Sequence, residues 1–416
     1  MSARRTTVVV VAVAALAVFV ACTPTTRAPR WADVIEATPA FLETVPALDP
    51  SLTAAPGGRV ALTWVTRDTS GADAWIAFSA DSGGHFSTPV RINLRRGRVS
   101  SYPESRPVAT FGASGNVVVA WTSARDSGLF TDDIVARASD DGGANFGPET
   151  VLNDDLALPG STYHGFVALD ATSQGRLFAA WIDGRATSLA AGEAEPAIAE
   201  IWSAASDDGG ATWGANRRVA AGVCPCCRIS LRTSESLIAL AYRGVQNDVR
   251  DPRLALSRDG GTTFVSDTLV SADGWTLAGC PSTGPALTLS RDGGWIAWYT
   301  GAEGRDGVYA SPWRAGRGAT MAPAALADTL RECAHPILAA MGPVTLAGVL
   351  ARAGSTRHVL ALRTLGAGGE LSPWLLLGAN ARSATIAAQD ARHALAAWVE
   401  RSDAGPRVRV VRVTRR

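Results

Sequence analysis

Apolar positions along this chain fall in short bursts rather than in helical stripes. The bursts "RVALTWVTRD", "NVVVAWTSARD", "RLFAAWIDGR", "LIALAYRG" and "GWIAWYTG" end on or near an aromatic ring, at Trp64, Trp121, Trp181, Tyr242 and Trp298. Two weaker copies follow, "VTLAGVLAR" around Gly348 and "HALAAWVERSD" with Trp398. Successive anchors stand 57, 60, 61, 56, 50 and 50 residues apart. Each unit repeats one plan: a first strand such as "RPVATF" or "GFVALDA", the anchor strand, and a third such as "DIVARAS" or "EIWSAAS". A polar turn and a short fourth strand ("ETVLN", "RRVAA") complete it. The stretch 184–200 reads as a loop inserted in the third unit. Short β-rich runs at this period are the mark of propeller blades. The predicted fold is therefore all-β, a β-propeller of four-stranded antiparallel blades, seven by the anchor count. A strand drawn from roughly 33–45 is expected to complete the last blade, which removes two exposed sheet edges.

The polar turn is spelled four times, as "SADSGGHF", "SDDGGANF", "SDDGGATW" and "SRDGGTTF". Serine and aspartate bond back to nearby N–H groups, and glycine supplies the positive φ of a tight reversal. The closing ring is expected to fold back over its own hairpin and bury a large apolar face there. "SRDGGWIAW" from Ser290 imitates the turn but runs straight into a strand.

The positions Ser79/Asp81/Gly83/Phe86, Ser139/Asp141/Gly143/Phe146, Ser206/Asp208/Gly210/Trp213 and Ser257/Asp259/Gly261/Phe264 resemble the Asp-box, or BNR repeat, of the sialidase superfamily. The resemblance covers about residues 45–320 and implies a sialidase-like propeller over 36–416, with six blades as the sialidase count. It also implies an activity to look for. Sialidases hold the substrate carboxylate with three arginines, attack with a Tyr–Glu pair and protonate the leaving group with an aspartate. The Arg-Ile-Pro tripeptide of that family is missing: Arg91 follows the first turn, and Arg106 lacks the isoleucine. Arg243, Tyr299 and Asp183 are of the right type, but no spacing selects them. Arg125, Arg185 and Arg352 each stand four residues past their anchors, a recurrence typical of structural residues. No catalytic residue is assigned, and an exo-α-sialidase-like glycoside hydrolase is the alternative function.

The 416 residues carry a net charge of +1, which gives no electrostatic case for nucleic acid. All 39 basic residues are arginine, which excludes Schiff-base and phosphate-loop lysines. Arg4 and Arg5 precede a 14-residue apolar run at 8–21, short for a bilayer span. The run stops on "VAC" and resembles a bacterial lipoprotein signal. That implies a signal peptide at 1–21, lipidation of Cys22, a tether at 22–35, and a propeller held by its lipid to a membrane of the cell envelope.

Cysteine and histidine supply the candidate chemistry. Cys226 lies 16 residues before Tyr242, Cys280 18 before Trp298, Cys333 15 before Gly348, His164 17 before Trp181 and Arg106 15 before Trp121. That shared offset is the entry to the innermost strand, so these side chains are expected at one mouth of the central channel. Cys224, Cys226, Cys227, Cys280, Cys333, His335 and His164 make a ligand set suited to copper or zinc. The same cysteines allow disulfides, a bridge from Cys224 or Cys227 to Cys280 or Cys333 being expected over a vicinal one, or a redox thiol. His85, His358 and His393 are given no role. The function expected is binding of a small molecule, glycan or soft metal at that mouth.

Overall fold

The computed structural model describes residues 31–416 apart from 113–114, 126–130, 157–162, 187–197, 328, 355–356 and 404. The signal segment and Cys22 lie outside the described residues, as does most of the insertion in the third blade. The chain forms seven antiparallel sheets, each four strands deep, with one extra short strand, Ala324–Ala325, on the fifth. First strands contact one another from blade to blade and so surround the axis. They are Leu48–Ala55, Val108–Phe111, His164–Ala171, Ser230–Thr233, Ala286–Leu287, Arg331–Met341 and Ala381–Ala388.

Every anchor lies on a second strand. Val117–Ala124, Leu177–Asp183 and Ile238–Arg243 are buried almost throughout, because both their faces meet a neighbouring blade. This explains their continuous apolar spelling. Trp121, Trp181, Tyr242 and Trp298 fill the spaces between blades, while the alanines let the sheets approach. Across the sheet Trp64 faces Trp75, and Trp181 faces Trp202. Such aromatic pairs stabilise a sheet by about 0.2–1 kcal/mol each.

The four polar turns share one set of bonds. At the first, Ser79 Oγ donates to Asp81 Oδ1 at 2.8 Å and accepts from Gly83 N–H at 2.8 Å, while His85 N–H donates to Asp81 at 2.8 Å. Ser139, Asp141 and Gly143 repeat the set, as do Ser206, Asp208 and Gly210, and Ser257, Asp259 and Gly261, all at 2.8–2.9 Å.

The closing rings depart from expectation. Phe86, Phe146, Trp213 and Phe264 are only half-buried, and none is confined to its own hairpin. Phe86 packs into the core shared by the last and first blades, and Phe146 into that of the first and second. Trp213 joins the core of the second and third blades, and Phe264 that of the third and fourth. The docking of each turn on the preceding sheet is the physical reason, and its glycine shows how close the approach is. Gly143 has φ +98° and Gly210 φ +95°. A Cβ on Gly143 would collide with the Phe78 ring of the first blade, and one on Gly210 would stand 2.7 Å from Val118 of the second. Gly261, at φ +84°, would bring its Cβ to 2.9 Å from Phe178 of the third. Each turn thus fastens its blade to the one before.

Trp31–Glu36 completes the last sheet by pairing with Gly405–Arg415, Val34 opposite Val413. The closing strand begins at Trp31, ahead of the expected range of roughly 33–45, and uses only the start of that range, because 40–44 turns into a helix, Ala40–Thr44, that buries Leu42. Phe41 of that helix stacks on Trp64 at 5.3 Å.

Candidate functional site

The innermost strands are irregular where they enter the propeller. Their pairing with second strands slips between Leu48 and Ser51, Gly165 and Ala168, Arg331 and Ile337, and Arg382 and Thr385. Within these bulges Asp49, Phe166, Glu332, His335 and Ser383 take positive φ of 46–56°. Such backbone costs about 1–3 kcal/mol per residue, and bulges re-aim side chains beside functional sites. Here they bring Asp49, His335 and Ser383 into one polar network.

The centre of that network is Glu104. The turn 101–106 closes on itself, with Tyr102 N–H bonded to Ser105 O at 3.0 Å and Ser105 N–H to Tyr102 O at 2.8 Å. Glu104 then reaches across the channel, where Oε1 meets His335 Nδ1 at 3.0 Å and Oε2 accepts from Gly284 N–H at 3.1 Å. Arg228 Nε stands 3.8 Å from the same carboxylate, and its Nη2 donates to Pro336 O. Arg106 Nη1 donates to Pro50 O at 2.8 Å and to Ala384 O at 3.0 Å. Asp49 accepts from Ser101 Oγ at 3.0 Å and from Ser383 Oγ at 3.3 Å. Six of the seven blades contribute.

Burial alone would raise the Glu104 carboxyl, but the Arg228 charge, the His335 bond and Arg106 outweigh it and hold it at about 2. Glu104 is therefore an anion, and His335 Nδ1 donates to it, which fixes the ring and makes Nε2 its second functional nitrogen. Burial and the neighbouring Arg228 lower Arg106 to about 10. Burial raises Asp49 against the pull of Arg106. The side chains grade outward, Glu104 being 5% exposed, Arg228 14% and His335 34%. Tyr102, on the same turn as Glu104, is exposed; its ring meets Phe166 edge-on at 5.3 Å and its hydroxyl lies 3.3 Å from that of Tyr163. Inside the channel lies a cavity of about 180 Å³, its charged groups Glu104, Arg106, Arg228 and Arg232 and its remaining walls mixed, with Ser51, Thr53 and Ser230 beside Leu52, Val108 and Ile337.

The seven candidate ligands fall into four places. Cys226 is bridged to Cys280, so the bridge to Cys280 comes from the middle cysteine rather than from Cys224 or Cys227. Cys224 and Cys227 remain buried thiols with their sulfurs 3.2 Å apart. The Cys227 bond and, against burial, the Arg250 and Arg243 charges lower Cys224 to about 6, while burial and the adjacent Cys224 push Cys227 up. Cys333 is separate, in the core between the fifth and sixth blades, its thiol raised to about 12 by burial. His335 belongs to the Glu104 network. His164 is enclosed by Asp155 at 3.2 Å, Asp183 at 3.3 Å and Asp132 O at 2.7 Å. Burial opposes its charge, but the two carboxylates raise it to about 9. Among the described residues, Cys224/Cys226/Cys227 and Asp155/His164/Asp183 each bring three ligand atoms within 4.8 Å of one another.

The other arginines of the sequence reading stabilise the blades. Arg243 is buried and donates to Arg250 O, Thr283 O and Tyr299 O at 2.8, 3.1 and 2.8 Å. Arg125 pairs with Asp133, Arg185 with Asp183, and Arg352 with Glu332. Tyr299 donates to Asp306 at 2.7 Å.

No known family and no curated protein matches the sequence. Solved structures do match. A protein of unknown function from Dyadobacter fermentans is 13% identical, with 94% of this chain and 100% of that one covered and a TM-score of 0.53. A PL25 polysaccharide lyase, an ulvan lyase bound to a GlcA–Rha3S unit, is 10% identical over 88% of this chain and 93% of its own, with a TM-score of 0.52. A Hadza microbial sialidase is 13% identical over 91% of this chain and 67% of its own, with a TM-score of 0.49. At these identities the first two likenesses speak for the propeller fold alone.

Proposed function

We propose that the protein is an exported, lipid-anchored propeller that binds an acidic sugar at the mouth formed by Glu104, Arg106, Arg228 and His335. The observation that carries this reading is the convergence of two guanidiniums, one buried carboxylate and one partly exposed imidazole from three blades, Glu104 and Arg106 from the second, Arg228 from the fourth and His335 from the sixth. Guanidinium in a partly dry site favours a carboxylate or sulfate partner. The exposed Tyr102 ring offers a surface for the apolar face of a sugar. The small cavity, below the usual range for drug-sized ligands, suits a single ring rather than a long chain in the channel. That a lyase bound to a glucuronate-containing unit shares the fold is compatible with such a ligand. Calorimetric titration with glucuronate, sialate and glucose is the test. Binding of an acid but not of glucose, lost in Arg228→Met, supports the proposal; equal response to all three, or to none, contradicts it.

A glycoside hydrolase is the second reading. It is favoured by the opposite shifts of Asp49 and Glu104, with Arg106 acting on both. Such a divided pair is how acid and base roles are set apart. Turnover of a fluorogenic sialoside, abolished in Glu104→Gln, would raise it above simple binding. Copper or zinc, the metal reading, is left to the Cys224/Cys227 pair and to the Asp155/His164/Asp183 group, and metal content after purification without reductant, compared between wild type, Cys224→Ser and His164→Gln, measures it. Anchoring to the cell envelope rests on the segment ending in Cys22; Cys22→Ala would release the propeller from the membrane fraction.

A further inference from the structure

Four cysteines gather at a place the channel mouth does not use. Cys224 Sγ lies 3.6 Å from Cys226 Sγ, one of the two sulfurs of the Cys226–Cys280 bridge, and 3.2 Å from Cys227 Sγ. Arg250 Nη1 donates to Cys224 Sγ at 3.2 Å, and its Nε donates to Leu277 O at 2.9 Å. One guanidinium thus ties the free thiol to the loop that carries Cys280. Burial divides the four: Cys224 and Cys227 are enclosed, Cys226 is nearly so, and Cys280 is exposed. Beside the bridge opens a surface cavity of about 550 Å³, lined by Pro225, Cys226, Val245, Arg250 and Cys280 among others. A bridge that only fastens two loops has no need of a dithiol packed on one of its sulfurs.

We propose that these cysteines form an internal thiol–disulfide relay, in which the buried Cys224/Cys227 dithiol passes its reducing pair to the surface at Cys280 for an external disulfide. The Cys224 thiolate attacks Cys226 Sγ; the Cys224–Cys226 bond forms as the Cys226–Cys280 bond breaks, and Cys280 leaves as a thiolate. Cys227 then gives up its proton and attacks Cys224 Sγ, forming a Cys224–Cys227 bond and releasing Cys226. Two electrons have moved from one pair to the other, and the proton of Cys227 passes to the new dithiol. No outside oxidant or reductant enters this exchange. An external disulfide arriving in the cavity is attacked by Cys280 to give a mixed disulfide and one free thiol. Cys226 attacks Cys280 Sγ in turn, restoring the bridge and releasing the second thiol.

The test uses full-length protein without reductant. It is incubated with a bulky maleimide, then denatured, alkylated with a second reagent and mapped by peptide mass spectrometry. The relay predicts that Cys280 acquires maleimide as a Cys224–Cys227 link appears. In Cys227→Ser, Cys280 is labelled while a Cys224–Cys226 link accumulates; in Cys224→Ser, Cys280 stays bridged. If wild-type Cys280 remains unlabelled and the Cys226–Cys280 link stays whole while the protein is folded, the proposal is overturned.

Discussion

Exchange of Glu104 for glutamine keeps the shape of the side chain and removes its charge. In the folded protein the Glu104 carboxyl titrates at about 2 instead of its ordinary 4.5. Because folding depresses this pKa, the contribution is fully present above the unfolded value and is lost as pH falls from about 4.5 to about 2. The gap corresponds to about 3 kcal/mol, in the range of about 3–5 kcal/mol for breaking a buried ion pair. With unfolding entropy proportional to chain length, a propeller of this size would melt about 4 °C lower. The assay is calorimetric melting of wild type and Glu104→Gln at about pH 6, 4 and 3. Carboxylates common to both proteins cancel in the difference. The difference should be largest at pH 6 and should shrink steadily on acidification. A difference that is negligible at pH 6, or that does not change with pH, would refute the assignment of Glu104 as a compensated buried anion.

Other consequences are as direct. His164 has the opposite sign: its pKa is raised to about 9 from 6.5, so its contribution is complete below 6.5 and lost as pH climbs through 9. Relative to His164→Gln, wild type should therefore lose about 3 kcal/mol across that window, read as the difference between the two denaturant titrations, in which the opposite change from the depressed Cys224 thiol is common to both and cancels. The Cys226–Cys280 bridge closes a loop with a separation of 54 residues. Removing both cysteines should cost up to about 4 kcal/mol by loop entropy, read as a drop in guanidinium midpoint. Gly261→Ala places a side chain at φ +84° against Phe178. It should destabilise by at least about 2 kcal/mol, whereas alanine at the open Gly316, also at positive φ, should cost less in the same melts.

The blade plan was legible because second strands buried on both faces must be apolar along their length, and the anchor spacing counts them. The offset marked where the innermost strands begin, but the cysteines and His164 that share it do not gather at one mouth. Asp49 stands 15 residues before Trp64, Ser383 15 before Trp398 and Glu104 17 before Trp121, the same address that singles out the cysteines. What the spacing cannot carry is reach. Polar residues at that offset are common, and only the closed turn 101–106 and the bulge at His335 join Glu104 to a partner 231 residues away. The cysteine pairing was equally hidden, since spacing does not distinguish Cys226 from its neighbours as the partner of Cys280. Phe86, Phe146, Trp213 and Phe264 reach the preceding blade because packing between sheets decides their place, and turn chemistry does not report it. His164 shares the offset of the cysteines, but the paired carboxylates of Asp155 and Asp183 hold it inside the blades.

The most direct test of the acidic-sugar site is the structure of crystals soaked in the sugar acid that titration selects. Its carboxylate should lie within hydrogen-bond distance of the Arg228 guanidinium, with His335 beside it and the ring against Tyr102. A sugar bound elsewhere on the propeller, with Arg228 and His335 untouched, would contradict the account.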